Sequence, residues 1–147
     1  QTDFNIGGVE ENQMLLQQPF TPEHRFFINF GYATKKTLNE SNWTIDFTAQ
    51  WFSEQRIPST EGNLLNNRRN ELSPSFSLLN TQVTRNFNKR LAIYAGVENI
   101  LNFRQDNPII DADNPFGNQF DASMVWGPIF GRNIYAGLRW KITKEKM

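Results

Sequence analysis

The chain has 147 residues with 15 basic and 15 acidic side chains, so its formal net charge of zero supports no long-range attraction to nucleic acid or to an anionic membrane surface. The absence of cysteine excludes disulfides and thiolate metal sites. The sequence contains no run of about 18 apolar residues, so it predicts no membrane-spanning helix. Its 13 phenylalanines and 4 tryptophans suit a β-protein.

Five segments alternate apolar and polar residues with a period of two, which predicts strands with one apolar and one polar face. The clearest segment has apolar side chains at alternate positions from Trp43 to Trp51. The predicted strands lie near residues 24–34, 43–53, 77–87, 90–99 and 133–142. No segment has a sustained helical period, so we predict an all-β fold, an antiparallel meander of about five strands.

The connections between these strands differ in length in a regular way. Residues 35–42 form a short turn, and Asn88-Lys89 predicts a two-residue hairpin turn. The other two connections, 54–76 and 100–132, are longer than most loops in compact domains, and loops of such length are usually functional. Short turns that alternate with long loops put both long loops at one end of the sheet, as in outer-membrane barrels.

The two faces do not by themselves distinguish a membrane protein from a soluble one. The predicted polar face carries the charged residues Asp46, Glu98 and Arg139. These side chains would suit bulk solvent or a polar barrel lumen equally well. In a barrel we expect them to belong to the lumenal wall, where they would pair charges or contact a plug. Trp43, Trp51 and Trp140 lie near strand ends, which matches the aromatic girdles of a membrane barrel, but aromatic strand residues more commonly pack a core.

Several blocks of the sequence resemble TonB-dependent outer-membrane receptors. Residues 91–102 contain the pattern Gly-x-x-Asn-x-x-Asn and resemble the penultimate strand of that family. Residues 120–132 resemble the final extracellular loop of its Bacteroidetes branch, and residues 132–140 resemble the last strand. Residues 22–25 are similar to the start of an earlier strand. The resemblance spans about residues 20–142.

This resemblance implies that the five strands form the C-terminal part of a 22-stranded transmembrane β-barrel in the outer membrane of a Gram-negative bacterium. The implied function is receptor-mediated import of a scarce nutrient (siderophore, haem, cobalamin, metal complex or glycan) with TonB-coupled energy. The implied partners are the remainder of the barrel, the plug domain, outer-membrane lipid and lipopolysaccharide, the barrel-assembly machinery, and the TonB complex through an N-terminal part that this chain lacks.

The last strand also resembles the signal that the barrel-assembly machinery reads, which the residues Tyr135, Gly137, Trp140 and Ile142 would supply. The family usually ends at a terminal aromatic residue, whereas here the tail 143–147 follows. Because the chain opens at Gln1 without a signal sequence or plug domain, we expect residues 1–147 to be a truncated segment of such a receptor.

Candidate ligand-binding residues lie in the two long loops. Arg56, Arg68 and Arg69 could hold an anionic ligand through their planar guanidiniums, or could be solvated loop charges. In the second loop, Asp121 is a ligand candidate, and Trp126 could stack on a flat ligand or pack the loop over the barrel mouth.

No metal site, cofactor or catalytic centre is predicted. The aspartates at 106, 111, 113 and 121 lack the glycine-turn calcium pattern and suit a loop with Asx turns. His24 is the only histidine, and binding of copper or haem by His24 and Met14 is the less favoured interpretation. The alternatives to a receptor are a soluble lipocalin-like barrel that binds a ligand and a surface adhesion β-domain.

Overall fold

The computed structural model describes residues 17–142 and confirms the all-β fold, a five-stranded antiparallel meander. The strands are β1 (Arg25–Ala33), β2 (Asn42–Phe52), β3 (Phe76–Asn86), β4 (Leu91–Glu98) and β5 (Asn133–Trp140), with a 3₁₀ turn at Leu65–Asn67. These bounds differ from the predicted ones by at most two residues at any end. Among residues 17–142, no helical segment has the length and hydropathy that a membrane span requires.

The spatial order of the strands equals their order in the sequence, and each strand pairs with its sequence neighbours. Within the described residues β1 and β5 therefore have one strand partner each, and their outer edges carry unpaired backbone groups. An unpaired edge recruits a further strand readily, because its N–H and C=O groups are already aligned for pairing.

Both short connections lie at one end of the sheet, here called the turn end, and both long ones lie at the other, the loop end. The predicted two-residue turn at Asn88-Lys89 is wrong. Instead, the Phe87 N–H donates to the Leu91 carbonyl at 2.9 Å, so three residues lie inside the turn. The reason is local, since Asn88 Oδ1 accepts hydrogen bonds from the N–H groups of Arg90 and Leu91 at 2.8 and 2.9 Å.

The register sorts the sheet into two faces, because directly paired residues point to the same side. Phe30 pairs with Phe47, Phe47 with Thr81, and Thr81 with Val97. The face that holds these residues is called the apolar face and comprises Phe26, Ile28, Phe30, Tyr32, Trp43, Ile45, Phe47, Ala49, Trp51, Ser77, Leu79, Thr81, Val83, Arg85, Leu91, Ile93, Ala95, Val97, Ile134, Ala136, Leu138 and Trp140. The opposite one is called the polar face.

The apolar face is the more exposed of the two. Phe26 and Ile134, for example, are 66% and 73% exposed. Buried strand residues lie on the polar face instead, among them Asn42, Thr84 and Ala92. Burial in the sheet is thus the reverse of that in a soluble domain, where apolar side chains point to the inside.

Within the described residues, the small buried apolar cluster lies in the long loops rather than under the sheet. It consists of Ile57 from the first loop and Ile110 and Met124 from the second, with Phe20 and Trp126 packed against it. The segment before β1 also lies at this end, since the Phe20 N–H donates to the Arg56 carbonyl at 2.9 Å. Three stretches of chain therefore form one assembly over the loop end, here called the loop cap (residues 17–24, 53–75 and 99–132).

Candidate functional site

The second long loop is closed at its base by two asparagines of the Gly-x-x-Asn-x-x-Asn pattern. Asn99 accepts from the Phe103 N–H at 3.0 Å and donates to the Phe103 carbonyl at 2.6 Å, while Asn102 Oδ1 accepts from the Arg132 N–H at 2.8 Å. Both asparagines have positive φ, 50° and 55°, a conformation that asparagine tolerates better than most residues. The pattern thus joins the start of the loop to its end at Arg132.

Gln105 organises the interior of the same loop. Its Nε2 donates to the Met124 carbonyl at 2.7 Å, and its Oε1 accepts from the N–H groups of Trp126 and Gly127 at 2.9 and 3.2 Å. The residue is 6% exposed, so these bonds satisfy backbone groups that water does not reach. Sequence reasoning missed Gln105, because a single glutamine in a long loop carries no periodic or motif signal.

Trp126 lies against an aromatic stack at the boundary between the polar face and the loop cap. The rings of Phe52, Phe76 and Phe103 stack in succession with centroids 4.7 and 4.8 Å apart. The Trp126 ring is tilted against Phe76 and Phe103 at 5.9 and 6.1 Å. Of the two roles considered for Trp126, the contacts therefore favour packing of the loop, which leaves less of its ring for a ligand.

The three candidate arginines of the first loop donate hydrogen bonds to backbone carbonyls. Arg56 Nη1 donates to the Gln17 carbonyl at 3.3 Å, and Arg68 Nε donates to the Asn63 carbonyl at 3.2 Å. Arg69 reaches across to the second loop, where its Nη2 lies 3.5 Å from the Asn107 carbonyl. Its buried Nε has no partner among the described residues.

Asp121 lies in the second loop, where its backbone forms an isolated antiparallel bridge with Ile110. Its Oδ1 accepts the Ser123 N–H at 2.7 Å, the geometry of an Asx turn. The Ser123 hydroxyl, and after it the Ser123 N–H, lower the pKa of Asp121 from its ordinary value. No ion pair within the described residues joins Asp121 to Arg56, Arg68 or Arg69, so the five loop candidates do not form one connected site.

The polar face carries Asp46, Glu98 and Arg139, which the register separates along the sheet. Glu98 is near the loop end and accepts from Asn133 Nδ2 at 3.3 Å, whereas Arg139 is near the turn end with its guanidinium 5.8 Å from the Tyr94 ring centre. Asp46 lies between them in the middle of β2. Elsewhere on the polar face, uncharged side chains form cross-strand hydrogen bonds. For example, Asn29 Nδ2 donates to Thr48 Oγ1, and Asn86 Nδ2 donates to Asn42 Oδ1.

Two tyrosines and two glycines interlock on the polar face of β4 and β5. Tyr94 pairs with Gly137, and Gly96 pairs with Tyr135, so each ring covers the glycine opposite. A Cβ at Gly96 would lie 2.5 Å from the Tyr135 ring, and one at Gly137 would overlap the Tyr94 ring in the same way. The Tyr135 hydroxyl donates to Gln82 Oε1 at 3.1 Å and so ties β5 to β3.

The predicted girdle and assembly-signal residues occupy defined places. Trp43 and Trp140 lie at the turn end of the apolar face, and Trp51 lies at its loop end. The eight-residue interval from Trp43 to Trp51 spans about 27 Å along the strand, or about 20 Å along the axis of a tilted barrel wall. Of the signal residues, Tyr135 and Gly137 lie on the polar face, Trp140 lies on the apolar face, and Ile142 follows the end of β5 and is exposed.

No cluster of three acidic or histidine side chains that could hold a metal ion occurs in residues 17–142. The exposed His24 lies 3.9 Å from Glu23, and Met14 lies outside the described residues, as does the tail 143–147.

The chain matches no protein-family model, and comparisons with curated proteins and with solved structures found no match. The resemblance to TonB-dependent receptors therefore rests on the sequence motifs and stays a prediction.

Proposed function

We propose that this chain is the C-terminal wall and loop segment of a TonB-dependent receptor in the outer membrane of a Gram-negative bacterium, and that the receptor imports a scarce nutrient. The observation that carries the proposal is the burial of the two faces. The apolar face is exposed, whereas the polar face holds the buried strand residues. A membrane barrel has this arrangement, since its outside meets lipid and its inside meets water or a plug.

The free energy at stake is too large for the apolar face to remain in water. Eleven of its large apolar side chains are partly exposed, and their exposed fraction ranges from 37% for Val83 to 73% for Ile134. Covering the exposed part of each would contribute about 1 kcal/mol, or about 10 kcal/mol in all. That sum equals the entire stability of an ordinary domain, about 5–15 kcal/mol, so a hydrophobic environment must cover this face.

The distribution of charge favours lipid as that environment. Among the described strands, Arg85 is the one charged residue on the apolar face, and it lies at the turn end, where a membrane interface would be. Thr81, in the middle of this face, donates its hydroxyl to the Asp46 carbonyl at 3.0 Å, which satisfies its polarity internally. Within lipid, every polar group needs such an internal partner.

A barrel of this kind needs strands beyond these five, because the smallest closed membrane barrels have about eight. The free edges of β1 and β5 would pair with the remaining strands of a 22-stranded wall. The polar face would then line the lumen and meet the plug domain, and the loop cap would lie outside the cell, where Arg56, Arg69 and other loop residues could contact the nutrient.

The soluble alternatives receive less support. A lipocalin-like barrel would turn the apolar face inward around its ligand, with polar strand residues in solvent, and the burial of Asn42 and Thr84 opposes this. An adhesion domain would use the loop cap to bind partners, but would still need a second sheet or a membrane to cover the apolar face.

Surface accessibility of two short epitope tags tests the proposal in cells that produce the complete gene product. One tag replaces Gly62 in the first loop, where a Cβ would meet nothing within 4 Å. The matched tag replaces Asn39 in the turn between β1 and β2, which is also exposed. We expect antibody to bind the Gly62 tag on intact cells and the Asn39 tag only after the outer membrane is permeabilised.

Recovery of the folded protein in the soluble fraction, or equal access to both tags, would contradict a membrane barrel. The transport role is tested separately with the same cells. Accumulation of the nutrient should stop when the proton gradient across the inner membrane is dissipated, whereas surface binding should persist. Uptake that survives loss of the gradient would refute coupling to TonB.

A further inference from the structure

The two ends of the sheet carry opposite charge, although the chain as a whole is neutral. The turns at the turn end (residues 34–41 and 87–90), together with Lys141, hold five basic side chains and one acidic side chain, Glu40. The loop cap holds eight acidic side chains and five arginines. The turn end is therefore a basic rim next to an apolar surface, which is the charge pattern of a protein that meets an anionic interface.

Arg85 extends this basic rim onto the apolar face. Its guanidinium lies over the rings of Trp43 and Phe87, at 5.1 and 5.6 Å from their centres. It forms no ion pair with a described carboxylate. Contact with ring faces holds the planar group in place without neutralising it, and a held guanidinium presents two parallel N–H donors to a phosphate.

A groove of about 620 Å³ lies at the turn end, and one of its lining residues is Phe87, whose ring contacts the Arg85 guanidinium. Its walls include the apolar side chains of Leu38, Phe87, Leu91 and Trp140, and the charged side chains of Glu40 and Lys89. Leu91 and Trp140 also belong to the apolar face, so the groove is continuous with the surface that lipid chains would cover. Its size falls in the range of sites that hold small amphiphilic molecules.

The charges at the groove do not cancel. Glu40 Oε1 lies 3.2 Å from Lys89 Nζ, and its Oε2 lies 3.7 Å from Lys36 Nζ, so one carboxylate is shared by two ammonium groups. Lys35 and Lys141, which are exposed, add further positive charge at the same end. A group with a net negative charge would complete this arrangement, whereas a zwitterionic group would bring its own ammonium against the lysines.

We propose that the turn end binds the headgroup of an anionic phospholipid, with the phosphate between Arg85 and Lys89 and the acyl chains along the apolar face. This inference rests on the proposed function, since it requires the apolar face to meet a bilayer. It goes beyond that function because it specifies which lipid charge the protein selects and at which end. In a receptor whose turns face the periplasm, the selected lipid would belong to the inner leaflet of the outer membrane.

Quenching of tryptophan fluorescence by brominated lipid tests the selectivity. The complete gene product, which would supply the remaining strands of the barrel, is transferred from detergent into vesicles with about 30% anionic and 70% zwitterionic phospholipid, in which bromine is carried by the acyl chains of one or the other. One variant keeps Trp43, which lies at the turn end, as the sole tryptophan of the protein. Its matched control keeps Trp51, at the loop end of the same strand and the same face, and each variant carries phenylalanine at every other tryptophan position.

If lipids mixed at random around the protein, quenching of Trp43 would follow the fraction of brominated anionic lipid in the bilayer. We expect quenching at least about twofold above that level, because each basic side chain near the surface favours anionic lipid by up to about fivefold. Trp51 should be quenched in proportion to lipid composition. Raising the salt from about 0.05 to about 0.5 M should remove the excess at Trp43, since screening shortens the reach of the charges.

Quenching of Trp43 in simple proportion to composition at low salt would overturn the lipid selectivity and leave the membrane barrel standing. Absence of quenching at both tryptophans would instead overturn the proposed function. The substitutions Arg85→Gln and Lys89→Gln should together abolish the excess at Trp43, while Arg68→Gln in the loop cap should leave it unchanged. An excess that survives loss of Arg85 and Lys89 would refute their role.

Discussion

Replacing Ile28 with arginine tests which face of the sheet meets lipid, because its neighbour Asn29 supplies a matched position. The two residues lie side by side at the centre of β1 and point to opposite faces. Ile28 is 64% exposed and Asn29 is also exposed, so neither side chain is enclosed by packed neighbours. The difference between Ile28→Arg and Asn29→Arg therefore reports the surroundings of each face.

The expected magnitude follows from the cost of a charge in lipid. An arginine on the lipid face costs about 2–4 kcal/mol near the middle of a bilayer, and about 0–1 kcal/mol near its surface. Asn29→Arg would remove the 2.9 Å hydrogen bond from Asn29 to Thr48, a loss of about 1 kcal/mol. We expect Ile28→Arg to exceed Asn29→Arg by about 2 kcal/mol, or roughly 30-fold in the unfolding equilibrium.

Urea titration of both variants in zwitterionic vesicles, followed by tryptophan fluorescence, measures this difference. The same titration on polar-face and apolar-face positions of β4 repeats the comparison in a central strand. Equal destabilisation by Ile28→Arg and Asn29→Arg would refute the assignment of the apolar face to lipid, and a larger effect of Asn29→Arg would indicate that the polar face is the packed one.

Three further predictions concern the polar face, the loop cap and the turn end. Gly137→Ala should destabilise the protein by about 1–3 kcal/mol through overlap with Tyr94, and a double-mutant cycle with Tyr94→Ala should recover most of the loss, whereas additive effects would contradict the interlock. Gln105→Leu should raise hydrogen exchange at the loop amides it now bonds by at least about tenfold, since each unpaired buried group costs about 1–3 kcal/mol. The hydrogen bond from Lys89, helped by Lys36, lowers the pKa of Glu40 from its ordinary value of 4.5. The turn contacts of Glu40 are therefore present above that pH and lost as the pH falls through the lowered pKa; a carboxyl titration by NMR should show Lys89→Gln moving the midpoint upward, and an unmoved midpoint would refute the contact.

The strands were predictable because alternation is a local property of the chain. A period of two forces Ile28 and Asn29 to opposite sides wherever the strand pairs, so the composition of each face followed from the sequence. The asymmetry of the connections was predictable as well, since a meander must return to the same end after every second strand. The turn at Asn88 was mispredicted because the side chain of Asn88, rather than the backbone alone, sets the number of residues inside it.

The candidate site was less predictable. The sequence drew attention to charged loop residues such as Arg56 and Asp121, but their observed partners are backbone groups of the loop cap. The residue with the most extensive role in the second loop, Gln105, carried no signal. Its function depends on three backbone groups about 20 residues further along the chain, and no local pattern specifies that distance.

The sequence by itself determined an all-β chain with one apolar and one polar side to each strand, because side-chain alternation depends only on the local backbone. Which side is buried was decided by the tertiary structure, since burial depends on what packs against each face. The structure likewise revealed the charge difference that a net charge of zero concealed. Residues far apart in sequence, such as Glu40 and Lys89, meet at one end only because the pairing of β2 with β3 brings their turns together.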